Sequence, residues 1–478
     1  MRYSDTRLYI GGNWCDATGA KTLDVYNPAT GEAIGKVAHA VHADLEKAVE
    51  AVVSGFHIWS ATSAFERYQI MRRAAALLRD RLESIARLLT TDEGKPLAES
   101  RLEVNSCADL LDWFAEEGRR AYGRLIPARS TTVQQYGIKE PVGPAVGFTP
   151  WNFPMSQIVR KLGPALAAGC SIIIKGPEEA PAAPAQLFQC LHDAGVPAGV
   201  VNLVFGTPAE ISQFLIPHPA IRKVSFTGSV PVGKQLASLA GLHMKRVTME
   251  LGGHAPAIVM DDANIDAATT ALVAAKFRNA GQVCIAPTRF LIQAGVHDQF
   301  VKSLIKKTQA LKVGDGLAEG TQMGPLIGER RRAAIESLIE DAVSKGARIA
   351  TGGQRIGNSG FFFEPTILTG ITTDMRAMNE EPFGPVALVK SFDDLDEAIE
   401  ESGRLPFGLG SYAWTTSASN ARRLVQGVQA GMLTINHVGL GLPETPYGGI
   451  RDSGYGYEGG SEALDGYMNT RFITHDVA

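Results

Sequence analysis

Lys223-Val-Ser-Phe226 passes through Thr227 into Gly228-Ser-Val-Pro-Val-Gly-Lys-Gln235, so an apolar run of strand length ends in a glycine turn that opens a helix. In an α/β protein this is where free backbone N–H groups and the positive end of a helix dipole receive a phosphate. The GxxxxGK spacing in the same stretch also describes a P-loop, but Gln235 stands where such a loop requires a Ser or Thr hydroxyl to hold Mg²⁺. A P-loop nucleotidase is therefore the poorer reading, and an ordinary strand-to-helix turn is the plain alternative to both.

The same rhythm extends on either side. Ala145-Val-Gly-Phe148, Ser171-Ile-Ile-Ile174 and Val201-Asn-Leu-Val-Phe205 are short apolar runs separated by helical stretches such as residues 184–194. Strand, helix, strand at this spacing predicts a parallel, doubly wound sheet. A second series begins after Glu250, with Ala257-Ile-Val-Met260, a helix over residues 265–279 and Arg289-Phe-Leu-Ile292. It predicts a second α/β domain. Upstream, apolar residues at helical spacing predict one amphipathic helix over 63–89 and another over 106–122. Tyr467-Met-Asn-Thr-Arg-Phe-Ile-Thr474 reads as a terminal strand that must pair with something, and a sheet of another subunit is one candidate.

A chain of 478 residues exceeds what one hydrophobic core serves, so two or three domains are expected. With 46 basic and 50 acidic residues, a net charge of −4 leaves no electrostatic footprint for nucleic acid or an anionic membrane, and small-molecule chemistry is the default. Five scattered cysteines without a CxxC argue against a zinc site or a disulfide framework, and the histidines form no HExxH pattern, so no metal is expected. The N-terminal stretch has no apolar leader core and no segment reaches the roughly 18 apolar residues of a membrane span. A cytoplasmic protein is expected.

Among the cysteines, Cys284 in Phe277-Arg-Asn-Ala-Gly-Gln-Val-Cys-Ile285 reads as a possible nucleophile, because a thiol is the strongest side-chain nucleophile near neutral pH once something takes its proton. Glu250, in Met249-Glu-Leu-Gly-Gly253, is a carboxylate able to do so. Phe148-Thr-Pro-Trp-Asn-Phe-Pro154 brackets Asn152 with prolines, which fixes an amide able to stabilise an oxyanion. Read singly, the cysteine is a small buried hydrophobe and the asparagine is turn chemistry.

Together, Thr149-Pro-Trp-Asn-Phe-Pro154, Phe226-Thr-Gly-Ser229, Met249-Glu-Leu-Gly-Gly253, Gly281-Gln-Val-Cys284, Glu380-Glu-Pro-Phe-Gly-Pro385 and Pro446-Tyr-Gly-Gly-Ile-Arg-Asp-Ser-Gly454 resemble the NAD(P)-dependent aldehyde dehydrogenase superfamily in order and spacing, over nearly the whole chain. The resemblance implies an α/β fold of two Rossmann-type doubly wound domains plus a small β oligomerisation arm. Its divisions would be 1–121 with 141–252 for NAD binding, 253–452 for the domain carrying Cys284, and 122–140 with 453–478 for the arm. It implies Cys284 as nucleophile, Glu250 as general base and Asn152 as oxyanion-hole amide beside the Cys284 N–H. Lys175 and Glu178 match residues on the adenosine ribose; Trp151, Gly228 and Ser229 lie at the pyrophosphate, and Glu381 and Phe383 at the nicotinamide ribose and ring. NAD is the expected cofactor, with NADP open, in a homo-oligomer, dimer or tetramer. Non-catalytic lens-type proteins share this fold, but they tend to lose the nucleophile that is present here.

Arg160 and Arg278 match arginines that bind the substrate carboxylate in the succinate-semialdehyde dehydrogenase branch. Two guanidiniums suit a distant anion, so succinate semialdehyde is the expected substrate. That branch commonly carries a serine before the Pro-Tyr-Gly-Gly motif, whereas this chain offers only Gly441 and Leu442. Glutarate or 2-oxoglutarate semialdehyde, or an aromatic aldehyde, stay open as alternatives.

Overall fold

The computed structural model describes residues 3–478. One sheet has eight strands, in the order Gly454–Tyr455, Arg246–Leu251, Lys223–Gly228, Ala145–Phe148, Ile172–Lys175, Val201–Val204, Leu8–Ile10 and Asn13–Cys15. The five middle strands are parallel, and the strands at both edges join antiparallel. Helices His42–Ala61, Ser156–Ala168, Ala182–Asp193 and Val230–Leu242 pack on them, which is why Ile172–Lys175 and Val201–Val204 are buried at every residue. The chain winds outward from Ala145–Phe148 in one direction, then returns to its other side for Lys223–Gly228 and Arg246–Leu251. This reversal leaves a crevice beyond the carboxyl ends of the strands on each side of it, the usual ligand position in such sheets.

A second sheet of seven strands runs Arg348–Thr351, Thr366–Thr369, Val386–Phe392, Arg289–Gln293, Pro256–Val259, Gly410–Trp414 and Met432–Ile435, parallel except at its first edge. Its core, around Phe290, Ile292, Leu388 and Trp414, is separate from that of the first sheet. The two-sheet α/β fold is the expected one. Arg124–Ile126, Val133–Pro141 and Met468–Asp476 form a three-stranded sheet, with Val133–Pro141 in the middle.

The terminal strand pairs with Val133–Pro141 of its own chain, Met468 opposite Pro141 through Asp476 opposite Val133, and forms one edge of that sheet. Two expectations need correction. Residues 453–467, expected in the arm, belong with the first sheet: Gly454 and Tyr455 pair with Glu250 and Met249, and Leu464 and Tyr467 enter the first core. The single helix over 63–89 is two, Ala64–Asp80 and Leu82–Glu93, broken at Arg81 (φ −99°, ψ 8°). The first starts at a capping box in which the Ser63 hydroxyl accepts from the Glu66 N–H and the Glu66 carboxylate accepts from the Ser63 N–H.

Candidate active site

Cys284 follows a turn that no regular element supports. Helix Ile265–Phe277 ends, and Asn279, Ala280 and Gly281 take positive φ of 47°, 52° and 72°. A β-carbon on Gly281 would lie 2.1 Å from the Gly384 carbonyl oxygen, so only glycine fits. Two non-glycine residues in the left-handed region persist only where neighbours over-determine the backbone, and here they do. Buried Gln282 donates to the Asn279 carbonyl (3.1 Å) and accepts from the Ile327 N–H (2.9 Å), while the Tyr412 hydroxyl donates to the Ile285 carbonyl (2.6 Å). The Cys284 sulfur is thereby held 3.3 Å from the Tyr447 hydroxyl. Burial pushes the thiol up to about 11, against the pull of that hydrogen bond.

Asn152 lies just past strand Ala145–Phe148, and its side-chain amide donates to the Gln282 carbonyl at 2.9 Å. Its own carbonyl accepts from the Lys95 ammonium (2.7 Å) and from the Asn279 amide (2.9 Å). Lys95 is fully buried and paired with Glu103 at 2.6 Å. This lysine clamp escaped the sequence reading, because a Lys between Glu residues ordinarily signals a solvated helix end.

Glu250 sits on Arg246–Leu251, 2% exposed, with no hydrogen-bond partner among the described residues for either carboxylate oxygen. Burial first, then the Glu458 carboxylate, holds it well above the usual carboxylate range. Gly448 abuts this carboxyl, and a β-carbon there would lie 3.3 Å from Glu250 Oε1. Glu458 itself is buried against Lys161 (2.8 Å) and Ser225 (2.6 Å).

A cavity of about 720 Å³ opens at the crevice, lined by Trp151, Asn152, Gly228, Ser229, Glu250, Cys284, Glu381 and Phe383 among others. Eight of the twelve expected site residues therefore meet at one place. Helix Val230–Leu242 points its N-terminus there with no side-chain cap at Ser229, so its first N–H groups remain for an anion. The Trp151 and Phe383 rings meet edge to face at 5.7 Å, and burial pushes Glu381 up to about 8. A β-carbon on Gly252 would lie 2.4 Å from Glu381 Oε2. Phosphate-ready N–H groups, a pair of aromatic rings and a buried carboxyl suit a nicotinamide dinucleotide.

The other four lie outside this cavity. Lys175, at the end of its strand, pairs with Glu178 at 2.6 Å, and Glu178 also accepts from the Gly206 N–H at 2.8 Å. Arg160, on Ser156–Ala168 and 7% exposed, donates to the Glu458 carbonyl (2.9 Å) and the Gly441 carbonyl (2.6 Å) and stacks 4.4 Å from the centre of the Tyr447 ring. Gly441 thus meets the arginine through its backbone. Arg278 is exposed and lies over the Phe153 ring at 4.8 Å. Phe153, Val283, Ile285 and Ala286 form an apolar cluster beside the nucleophile.

Residues 14–473 match the model of the aldehyde dehydrogenase family. Over 476 residues, all of this chain and 99% of the relative, 46% are identical to 4-(hydroxymethyl)benzenesulfonate dehydrogenase TsaD1 of Comamonas testosteroni. Glutarate-semialdehyde dehydrogenase of Pseudomonas putida is 41% identical over the full length of both chains. The crystal structure of succinate-semialdehyde dehydrogenase from Burkholderia pseudomallei is similar at TM-score 0.97 and 39% identity, covering 99% of this chain and 98% of that one. Betaine aldehyde dehydrogenase from Staphylococcus aureus, solved in complex with NAD⁺, gives a TM-score of 0.96 at 34% identity, covering 99% and 95%.

Proposed function

The chain belongs to the aldehyde dehydrogenase family, an enzyme oxidising aldehydes with a nicotinamide dinucleotide, and from this we propose that its substrate carries an anionic group at the end remote from the aldehyde. One observation supports the reading above others. Among the described residues, Arg160 is buried beside the nucleophile with only carbonyl oxygens and the Tyr447 ring as partners, and a buried guanidinium with no carboxylate among them is suited to a charged ligand. The names of the relatives carry the same chemistry in two forms, a carboxylate in the succinate and glutarate semialdehydes and a sulfonate on an aromatic ring. Arg160 together with Arg278 would grip the carboxylate of succinate semialdehyde; the apolar cluster around Phe153 and Ile285 favours an aromatic anion as the second reading.

In this reading the Cys284 thiolate forms a C–S bond to the aldehyde carbon, and the carbonyl electron pair moves onto oxygen. The alkoxide is held by the second N–H of the Asn152 amide and by the Cys284 N–H. The bound dinucleotide supplies the acceptor for the two electrons that leave as hydride. A thioester on Cys284 remains, and Glu250 takes a proton from the water that cleaves it to the free acid. Ser229 and Trp151 would hold the pyrophosphate, Glu381 and Phe383 the nicotinamide end, and Lys175 with Glu178 the adenosine ribose. Glu178 is held from two sides, so its carboxylate stays where a 2′-phosphate would meet it, which supports NAD over NADP. A homo-oligomer built through the three-stranded sheet and a cytoplasmic location belong to the same proposal, as does the division into cofactor, nucleophile and arm units.

The test compares succinate semialdehyde with butanal, and 4-formylbenzenesulfonate with benzaldehyde, in wild type, Arg160→Met and Arg278→Met. The loss of kcat/KM is expected to be larger for the anions than for their uncharged counterparts by about 1.5–3 kcal/mol. Equal losses for charged and uncharged aldehydes would refute the clamp.

A further inference from the structure

Tyr447 stands where neither of its neighbours is accidental. Its ring is 6% exposed, packed with Leu409, Met432 and Leu440, and among the described residues its hydroxyl meets one polar group, the Cys284 sulfur at 3.3 Å. The Arg160 guanidinium lies on the ring face at 4.4 Å, where a cation withdraws electron density and makes the phenol a better donor. The turn that carries it is fixed on both sides. Glu458 N–H donates to the Tyr447 carbonyl at 2.8 Å, and Gly448 next in the chain abuts Glu250. The nearby Tyr412 differs, since its hydroxyl is already bonded to the Ile285 carbonyl.

We propose that Tyr447 is a further catalytic residue, whose phenol donates a hydrogen bond to the Cys284 sulfur and holds the thiolate for attack, with Arg160 strengthening the donor from the ring face. The inference rests on Cys284 being the nucleophile. A thiolate has no proton to give, so once the thiol releases its proton to solvent the contact can only run from oxygen to sulfur. The phenol keeps its own proton throughout, because burial and the adjoining sulfur hold it well above its ordinary value. The other charged groups facing the thiol are Glu381 and Glu250, which disfavour the thiolate, and Arg160, which favours it. Two carboxylates therefore oppose ionisation of the nucleophile, and the phenol is the uncharged donor that offsets them.

The test is the pH profile of alkylation by iodoacetamide, in which the thiolate forms a C–S bond as iodide leaves, measured on the full chain with labelling at Cys284 followed by peptide mass. Tyr447→Phe keeps the ring under Arg160 and removes only the donor. Its midpoint should move up and its labelling near pH 8 should slow roughly tenfold or more, as for a lost hydrogen bond to a charged group. Site-specific 3-fluorotyrosine at 447, a better donor of nearly the same shape, should move the midpoint down. A merely structural role would lower labelling at every pH without moving the midpoint. A Tyr447→Phe profile superimposable on wild type, or a shift of both variants in the same direction, overturns the inference. If that happens while wild type oxidises aldehydes and Cys284→Ala does not, the nucleophile assignment stands and only the role of Tyr447 falls; turnover retained by Cys284→Ala removes both.

Discussion

A thiol pushed up to about 11 is mostly protonated at neutral pH, so Cys284 depends on its surroundings for reactivity more than an exposed cysteine would. Replacing it by Ala is expected to abolish aldehyde oxidation while leaving NAD binding intact, since the residues proposed to hold the pyrophosphate and the adenosine ribose, Trp151, Ser229, Lys175 and Glu178, do not include the thiol; isothermal titration with NAD beside a turnover assay checks both halves. Glu250 carries a sign that can be tested. Its carboxyl is raised above the usual range, so the basic form is scarce in mildly acidic solution and accumulates as pH rises. Thioester hydrolysis should therefore climb through neutrality and beyond, where an exposed glutamate would already be fully ionised and flat. Rapid-mix kinetics should show a burst of reduced cofactor whose following steady state rises with pH in wild type and stays slow in Glu250→Gln; a pH-independent steady state would contradict the assignment.

Strands and helices were legible in proportion to how continuous their apolar signal is. Ala145–Phe148 and Arg289–Gln293 are buried nearly throughout and so read plainly from composition, and the glycine turn at Gly228 fell where the strand ends. The helix over 63–89 misled because the apolar stripe stays in phase across Arg81 although the backbone does not. What holds the site was hidden for a different reason. Lys95 meets Asn152 across 57 residues, Tyr447 meets Cys284 across 163, and Lys161 meets Glu458 across 297, and a lone polar side chain gives no hint of a partner so far along the chain. The last of these ties helix Ser156–Ala168 to the segment after Tyr455. Glu458→Ala leaves the Lys161 ammonium buried without its carboxylate, and a stability loss of about 3–5 kcal/mol is expected in denaturant unfolding. A loss well under that, with the fold retained, would mean that water reaches the lysine.

The three-stranded sheet exposes large apolar side chains, with Leu125 87% and Phe472 57% exposed on strands that flank Val133–Pro141. Exposed apolar strands at sheet edges seek cover. If the sheet mediates assembly, Leu125→Glu with Phe472→Glu should lower the mass measured by light scattering, and an unchanged mass would place the subunit contact elsewhere. The order in which these strands are made has its own consequence. Lys161 leaves the ribosome 297 residues before Glu458, an interval of roughly 15–60 s at ordinary rates of synthesis. Val133–Pro141 likewise waits for Met468–Asp476. Through that interval the nascent chain can neither bury Lys161 against its carboxylate nor pair the open edge of Val133–Pro141, so the packing around helix Ser156–Ala168 is completed only once the last segment is made. A chain that stops before Glu458 lacks both the carboxylate that neutralises Lys161 and the strand that closes this edge.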